Sequence, residues 1–228
     1  MKEGEARPLT LAVGESGGVS ALWLAPAQPR ACYVFAHGAG AGMTHPSMAA
    51  FAEGLAARDV ATLRFQFPYM EKGSKRPDPP AVAQAAVRAA VAEAARLGAG
   101  LPLFAGGRSF GGRMTSQAQA KAPLLGVRGL AFVGFPLHPA GRPGTERAAH
   151  LSSIDVPMLF LQGTRDELAS LDLLHPVLDA LGAKATLELI DDADHSFHVR
   201  ARSGRTDAQV LAAMLDATVA WMANLLAH

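Results

Sequence analysis

Cysteine is almost absent from this chain, and the charges of the two signs nearly cancel. The one cysteine among the 228 residues, Cys32, excludes an internal disulfide, and its place in the apolar run 31–35 indicates a buried structural thiol. The lack of disulfides fits a reducing cytoplasm. The formal net charge of +1 gives no electrostatic reason to expect nucleic acid or a membrane surface as a partner.

Long hydrophobic runs are missing as well. No stretch of about 18 apolar residues occurs, so we expect no membrane-spanning segment. Residues 1–9 are charged and have no apolar region of the kind that a signal peptide needs. The motifs H-E-x-x-H and C-x-x-C are lacking, and the glycines of 38–42 do not follow G-x-G-x-x-G. We therefore expect neither a metal nor a dinucleotide cofactor.

The chain has instead the composition and the periodicity of an α/β domain. Half of its residues are hydrophobic and 18% are charged, and its length fits a single domain spanning residues 1–228. The predicted strands are 8–13, 19–24, 31–36, 60–67, 101–105, 127–133, 156–161 and 185–190. The predicted helices are one with residue 46 in its first turn, one that follows a tight turn at 106–112 and ends near residue 121, and those at 81–97, 168–181 and 207–226.

The order of these elements predicts the fold class. Residues 8–13 and 19–24 flank a glycine-rich turn and predict an antiparallel hairpin. From residue 31 onward strands and helices alternate, which predicts a mostly parallel sheet of about eight strands with helices on both faces. The proline-rich segment 68–80 is predicted as a loop, and the connection 134–155 is too short for a large lid.

A serine lies at the centre of the segment 107–111, Gly-Arg-Ser-Phe-Gly, which matches G-x-S-x-G. That motif places a nucleophile on a sharp turn between a strand and a helix. Ser109 has a predicted strand before it and a predicted helix after it. Ser16 stands in a second match, but strands flank it on both sides, so we interpret it as part of the hairpin turn. The sequence therefore predicts Ser109 as the nucleophile.

A serine nucleophile needs N–H donors for the oxyanion that develops on its substrate. Phe110 begins the helix after Ser109, where its backbone N–H and the helix dipole point toward that charge. We assign the second donor to the N–H of Ala39, in the glycine-rich loop that follows the strand 31–36. The alternative is that this loop is an ordinary turn between a strand and a helix.

Asp166 and His195 lie in the loops that follow two further predicted strands. Because the carboxyl ends of parallel strands meet at one edge of a sheet, we expect both side chains to reach Ser109. A neutral imidazole would take the serine proton, and a carboxylate would hold that imidazole in the required tautomer. The order serine, aspartate, histidine along the chain supports a catalytic triad of these three residues.

Neighbouring residues leave alternatives open. Glu167 is the nearest rival to Asp166 as the acid, and His198 lies close behind His195 as a rival base. The carboxylates on the histidine loop itself are expected to form a turn or to bind backbone amides, because they would have difficulty reaching the far imidazole nitrogen. They are Asp191, Asp192 and Asp194.

Five segments together resemble the α/β-hydrolase superfamily over nearly the whole chain. They are HGAG at 37–40, RFQFPYME at 64–71, GRSFGG at 107–112, GTRD at 163–166 and DHSF at 194–197. These motifs are similar to those of a lidless, dienelactone-hydrolase-like branch of bacterial hydrolases, whose eukaryotic relatives include a scaffold subunit of a histone acetyltransferase complex. The resemblance implies an eight-stranded core and hydrolysis of an ester, lactone or related acyl bond.

Several residues near the predicted nucleophile are candidate contacts for a small-molecule acyl substrate. Arg108 and the basic loop 72–76 would contact an anionic acyl group if they border the site. The alternative, which we favour, is that Arg108 pairs with a structural carboxylate such as Glu71 and that the lysines are solvated. The candidate substrate contacts are His37, Gly38, Tyr69 and Arg108.

The sequence thus predicts a cytoplasmic serine hydrolase that acts on small carboxylic esters or lactones. A thioesterase or a small peptidase would use the same machinery. A binding or scaffold module with a vestigial triad is the alternative from another class, because the fold alone does not determine the function.

Overall fold

The computed structural model describes residues 5–227. Within this part of the chain, eight strands form one sheet, as the sequence predicts. The strands are β1 (Arg7–Ala12), β2 (Gly18–Leu24), β3 (Ala31–Ala36), β4 (Val60–Phe65), β5 (Leu103–Arg108), β6 (Val127–Val133), β7 (Met158–Gly163) and β8 (Ala185–Ile190). The helices are α1 (Pro46–Ala56), α2 (Pro68–Glu71), α3 (Pro80–Leu97), α4 (Phe110–Lys121), α5 (Leu171–Leu181) and α6 (Asp207–Leu226).

The sheet is mostly parallel. Its strand order is β1-β2-β4-β3-β5-β6-β7-β8. β2 pairs antiparallel with both β1 and β4, whereas the remaining pairs are parallel. The turn between β1 and β2 contains Ser16 in a short 3-10 helix, Gly14–Ser16, so its interpretation as a hairpin residue is confirmed.

Helices cover both faces of this sheet. α1 and α6 pack on one face through an apolar cluster that includes Phe51 and Trp221, and α3, α4 and α5 pack on the other through a cluster that includes Val87 and Met114. Every residue of β3 and β4 is buried, because parallel strands between two helical layers lose contact with water on both faces. Cys32 in β3 is buried, as predicted, and burial raises the pKa of its thiol to about 12.

Four loops that carry predicted site residues leave the same edge of the sheet. β3, β5, β7 and β8 run in the same direction, so their carboxyl ends lie side by side. The loops that follow these strands carry Ala39, Ser109, Asp166 and His195. The topology alone therefore collects residues from distant parts of the sequence, and it does so at the edge where open α/β sheets bind ligands.

β5 and β7 begin and end two to three residues later than predicted, and three segments outside the sheet also differ from the sequence-based prediction. Pro68–Glu71 forms one helical turn at the start of the predicted loop. The helix expected from residue 168 begins only at Leu171, because the Asp166 carboxylate accepts the N–H of Leu168 and holds this segment in a turn. The connection between β6 and β7 contains a 3-10 helix, Glu146–Ser153, that packs against α4 and does not form a lid.

The last helix, α6, is long and apolar enough to cross a membrane by length and composition alone. Helices that pack on a sheet pass the same test, and α6 packs on the sheet in this way. Within its buried face, the Thr218 hydroxyl donates to the carbonyl of Met214 at 2.7 Å. The buried residues of the helix are Val210, Met214, Leu215, Thr218, Trp221 and Met222.

Two backbones come into contact at the turn after β5. A Cβ at Gly111 would lie 2.5 Å from the carbonyl oxygen of Ala36 and 2.6 Å from that of His37. A Cβ at Gly107 would lie 2.5 Å from the same Ala36 oxygen. Side chains do not approach backbone oxygens so closely, so glycine at these two positions is what lets α4 pack against the end of β3.

We expect Gly111→Ala to lower the free energy of unfolding by about 1–3 kcal/mol, because the added methyl group must push α4 away from β3. Gly40→Ala is the matched control, since a Cβ at Gly40 would meet no atom within 4 Å. Chemical denaturation followed by circular dichroism measures both variants. Equal stability of the two would contradict the close-packing argument.

Candidate active site

Ser109 lies on the sharp turn between β5 and α4. Its backbone has φ 49° and ψ −113°, a region that residues other than glycine rarely adopt. The N–H of Ser109 donates to the carbonyl of Val133 at 3.1 Å, and the tight packing at Gly107 and Gly111 holds the strained turn in place. The hydroxyl is thereby presented at the carboxyl edge of the sheet, next to the N-terminus of α4.

His195 reaches Ser109 from the loop after β8. Its Nε2 lies 2.9 Å from Ser109 Oγ. The loop is braced by Asp194, whose Oδ1 accepts the backbone N–H groups of Ser196 at 2.8 Å and His198 at 3.0 Å. This confirms that Asp194 binds backbone amides. The His195 side chain is 24% exposed, which leaves its outer edge open to a substrate.

Asp166 holds the opposite side of the imidazole. Its Oδ2 lies 2.7 Å from His195 Nδ1 and also accepts a hydrogen bond from the Gln162 amide, while its Oδ1 accepts the N–H of Leu168 at 2.8 Å. The carboxylate is fully buried. Because an ionised carboxylate only accepts hydrogen bonds, we assign the proton to Nδ1, which leaves the Nε2 lone pair directed at Ser109.

The rival residues lie outside this chain of hydrogen bonds. Glu167 is exposed. His198 bonds through Nδ1 to the carboxylate of Asp207 at 2.8 Å, and this hydrogen bond raises the pKa of His198. Asp192 forms an ion pair with Arg200. The structure therefore brings together the three residues that the sequence selects as a triad and places the alternatives elsewhere.

The two predicted oxyanion donors line the same cavity as Ser109. Phe110 is the first residue of α4, so its N–H has no partner within the helix. Ala39 lies in the loop after β3, and its carbonyl accepts the hydroxyl of Tyr69 at 2.8 Å. That bond fixes the loop and thereby the direction of the neighbouring N–H groups.

His37 and Tyr69 support this loop and do not make the substrate contact expected from the sequence. His37 is fully buried, with Nδ1 bonded to the carbonyl of Gly38 at 2.7 Å and Nε2 accepting the N–H of Phe67 at 3.0 Å. Burial lowers the pKa of His37 to about 4, which keeps the ring neutral. Tyr69 is buried, and its hydroxyl donates its hydrogen bond to the carbonyl of Ala39. Neither side chain has a free donor left for a substrate.

The expected pairing of Arg108 with Glu71 is wrong. Arg108 Nη1 donates to Ser47 Oγ at 3.0 Å, whereas Glu71 accepts the N–H and the hydroxyl of Ser20 at 3.0 and 2.8 Å. Arg108 lines a largely apolar cavity of about 230 Å³ next to the histidine loop. Burial lowers the pKa of this guanidinium, and nearby acidic charges oppose that shift.

Ser109 opens into a different and wider cavity, of about 480 Å³. Gly38 lies against Ser109, since a Cβ at that position would be 3.8 Å from Ser109 Cβ. Residues of the basic loop 72–76 line a separate shallow groove next to it. Ser109 is not among the residues that line the smaller cavity, so the chemistry belongs to the wider one.

A family model described as an α/β hydrolase domain matches residues 29–223. The chain belongs to this family. The matched span contains β3 to β8 and every predicted site residue from His37 to His195, so the whole candidate site lies within the family's domain.

Solved structures share this α/β hydrolase fold at low sequence identity. A lidless α/β serine hydrolase from Xanthomonas campestris matches with a TM-score of 0.75 and 22% identity over 95% of each chain. Dienelactone hydrolase from Anabaena variabilis matches with a TM-score of 0.79 and 19% identity over 98% of this chain and 99% of the Anabaena chain. A cold-adapted esterase from an Arctic intertidal metagenomic library matches with a TM-score of 0.70 and 16% identity over 96% of this chain and 94% of the esterase chain. At such identities the likeness shows the fold, which in this chain likewise carries no large lid.

Sequence analysis missed three polar residues of this α/β hydrolase site. Gln162, near the end of β7, binds both Asp166 and the N–H of Phe135, the latter at 3.0 Å. The signal for it was an amide within an otherwise apolar strand, just before the predicted acid. Arg113 and Arg147 line the wider cavity. Arg113 follows the nucleophile by one helical turn, but nothing local in the sequence marks Arg147.

We expect Asp166→Asn to lower kcat for ester hydrolysis by about 10⁴-fold, because an amide in this place would hold the wrong histidine tautomer. Glu167→Gln is the matched control and should have a small effect, since Glu167 is exposed and outside the hydrogen-bond chain. Steady-state kinetics on a soluble ester measure both. The reverse ranking would transfer the acid's role to Glu167.

Proposed function

We propose that this α/β hydrolase is a serine hydrolase that cleaves small carboxylic esters or lactones through an acyl-enzyme intermediate. The observation that carries the proposal is the pair of hydrogen bonds that links Ser109 Oγ to His195 Nε2 at 2.9 Å and His195 Nδ1 to Asp166 Oδ2 at 2.7 Å. A serine hydroxyl is a weak nucleophile unless a neutral base lies within hydrogen-bond reach, and both distances meet that requirement.

Acylation begins when Ser109 Oγ attacks the ester carbonyl carbon and its proton passes to His195 Nε2. The carbonyl oxygen becomes an oxyanion, and the proposal assigns its binding to the N–H groups of Ala39 and Phe110. Buried Asp166 stabilises the imidazolium without taking its proton. When the tetrahedral intermediate collapses, the carbon–oxygen bond to the alcohol breaks, and His195 donates the proton to the leaving oxygen.

Deacylation repeats these steps with water as the nucleophile. His195 takes a proton from the water, the resulting hydroxide adds to the acyl carbonyl, and the second oxyanion occupies the same two N–H groups. Collapse then breaks the bond to Ser109 Oγ, which recovers its proton from His195. The products are the acid and the free enzyme, and no cofactor enters the balance.

Small substrates are favoured by the shape of the site. The cavity in front of Ser109 has a volume of about 480 Å³, which lies in the range of small-molecule sites. The Anabaena dienelactone hydrolase and the Arctic esterase, whose fold this chain shares, support esters and lactones as the substrate class. A thioesterase or peptidase would use the same residues, and a cytoplasmic location stays an expectation from the sequence.

A fluorophosphonate probe separates an enzyme from a scaffold with a vestigial triad, because it labels only an activated serine. We expect the wild-type protein to be labelled at Ser109 and Ser109→Ala to lose both the label and about 10⁶-fold in kcat. Ser16→Ala is the matched control, since it changes the serine of the other G-x-S-x-G segment, in the hairpin turn. Labelling that survives in Ser109→Ala and disappears in Ser16→Ala would overturn the assignment.

The histidine pair provides a second test. We expect His195→Ala to lose nearly all esterase activity, because His195 is the one base bonded to Ser109 within residues 5–227. His198→Ala should retain activity, since His198 is exposed and bonded to Asp207 at the start of α6. Kinetics on a soluble ester, with circular dichroism to establish folding, decide the matter. An inactive His198→Ala together with an active His195→Ala would make His198 the base.

A further inference from the structure

Two arginines line the cavity in front of Ser109. The cavity wall contains Arg113 and Arg147 together with one acidic residue, Asp78. Among residues 5–227, neither guanidinium takes part in an ion pair. The carboxylate of Asp78 already accepts the backbone N–H of Tyr69 at 2.9 Å. The wall therefore carries an excess of positive charge beside the reacting serine.

Arg113 is held close to the reacting centre by α4. It lies one turn after Ser109, and its guanidinium carbon is 5.8 Å from the centre of the Phe110 ring. Its Nε is buried and has no hydrogen-bond partner. Burial lowers the pKa of Arg113, and so does the like charge of Arg147. A guanidinium stays charged at neutral pH even so, which means that two cations line the same cavity wall.

Arg147 is presented by the 3-10 helix Glu146–Ser153, which is fastened to α4. The Ser116 hydroxyl donates to the carbonyl of Arg113 at 2.9 Å, so its oxygen is free to accept His150 Nε2 at 2.7 Å. Burial, aided by the charge of Arg113, lowers the pKa of His150 to about 4, so this link joins neutral groups. The 3-10 helix that carries Arg147 is thus held against α4 by packing and by a hydrogen bond between neutral groups.

Two partly buried cations without a counter-ion raise the free energy of the folded protein. A carboxylate or phosphate group of a ligand bound between them would remove that cost. We propose that Arg113 and Arg147 form an anion subsite of the catalytic cavity and that the preferred substrates are esters carrying a carboxylate or phosphate group. The proposal rests on the proposed function and deepens it, because Ala39, Ser109 and Phe110 line the same cavity. One substrate would then place its scissile carbonyl at the serine and its charged group at the arginines.

The test compares esters that differ mainly in charge. For a charge on the alcohol side, 4-acetoxybenzoate is paired with its methyl ester; for a charge on the acyl side, mono-4-nitrophenyl adipate is paired with 4-nitrophenyl hexanoate. In at least one pair we expect kcat/KM of the charged ester to exceed that of the neutral one by about 10- to 100-fold, the range of hydrogen bonds to charged groups. Adding 4-acetoxyphenyl phosphate to the first set shows whether phosphate is preferred to carboxylate.

Substitutions assign the preference to the two arginines. Arg147→Gln should abolish most of the charged-to-neutral ratio, and Arg113→Gln is a second variant with the same expected effect. Arg142→Gln is the matched control and should keep the ratio, since Arg142 belongs to the same connection between β6 and β7, is exposed, and does not line the cavity. Ratios that stay near one in the wild type, or that survive both substitutions, would overturn the subsite.

A binding experiment separates failure of the subsite from failure of the proposed function. Calorimetric titration of Ser109→Ala with 4-acetoxybenzoate measures affinity without turnover, and adding Arg147→Gln should weaken that affinity by about 10-fold or more. If this holds while the wild type cleaves no ester, the anion subsite stands and the hydrolase assignment falls. If the wild type cleaves neutral and charged esters equally and Arg147→Gln binds normally, the hydrolase assignment stands and the subsite falls.

Discussion

The close approach of α4 to the end of β3 determines where each polar group of the site lies. Because a Cβ at Gly107 or Gly111 would lie 2.5 Å from the carbonyl oxygen of Ala36, the chain can turn from β5 into α4 within one residue. That residue, Ser109, has a positive φ of 49°, and the packing around it offsets the backbone strain. The same approach brings the loop that contains Ala39 near the start of α4, so the proposed nucleophile and both proposed oxyanion donors depend on one backbone contact.

The position of Asp166 depends on a different interaction, the set of hydrogen bonds that its buried carboxylate accepts. Asp166 is removed from water, yet its oxygens accept hydrogen bonds from the Gln162 amide, from the N–H of Leu168 and from His195. A buried carboxylate with this many donors is held in one orientation. The bond to Leu168 also holds the segment after β7 in a turn, so α5 begins only at Leu171.

Local patterns predicted most of this architecture, since strand and helix periodicity and the glycine motif each depend on neighbouring residues. β6, β8 and α6 have the bounds expected from their apolar patterns, and Ser109, Asp166 and His195 meet as expected. The failures involve contacts that only the folded chain creates. Nothing near Arg108 in sequence shows that Ser47 is its partner and that Ser20 satisfies Glu71. A relation to eukaryotic scaffold subunits stays a prediction from the motifs.

The two cavities beside the triad differ in a way that bears on specificity. The apolar one contains Arg108, whose charge is opposed by Asp194 and Asp166 and whose guanidinium binds Ser47. The wider one contains Arg113 and Arg147; the charge of Arg147 adds to the lowering of the pKa of Arg113, and the acidic residue of that wall, Asp78, already accepts the N–H of Tyr69. The number of arginines alone does not decide which cavity favours an anion, because a cation already balanced by acidic neighbours gains little from an anionic ligand, whereas an unbalanced one gains more. Since α4 carries both Phe110 and Arg113, the contact that strains Ser109 also sets how far an anion at the arginines lies from the oxyanion donors.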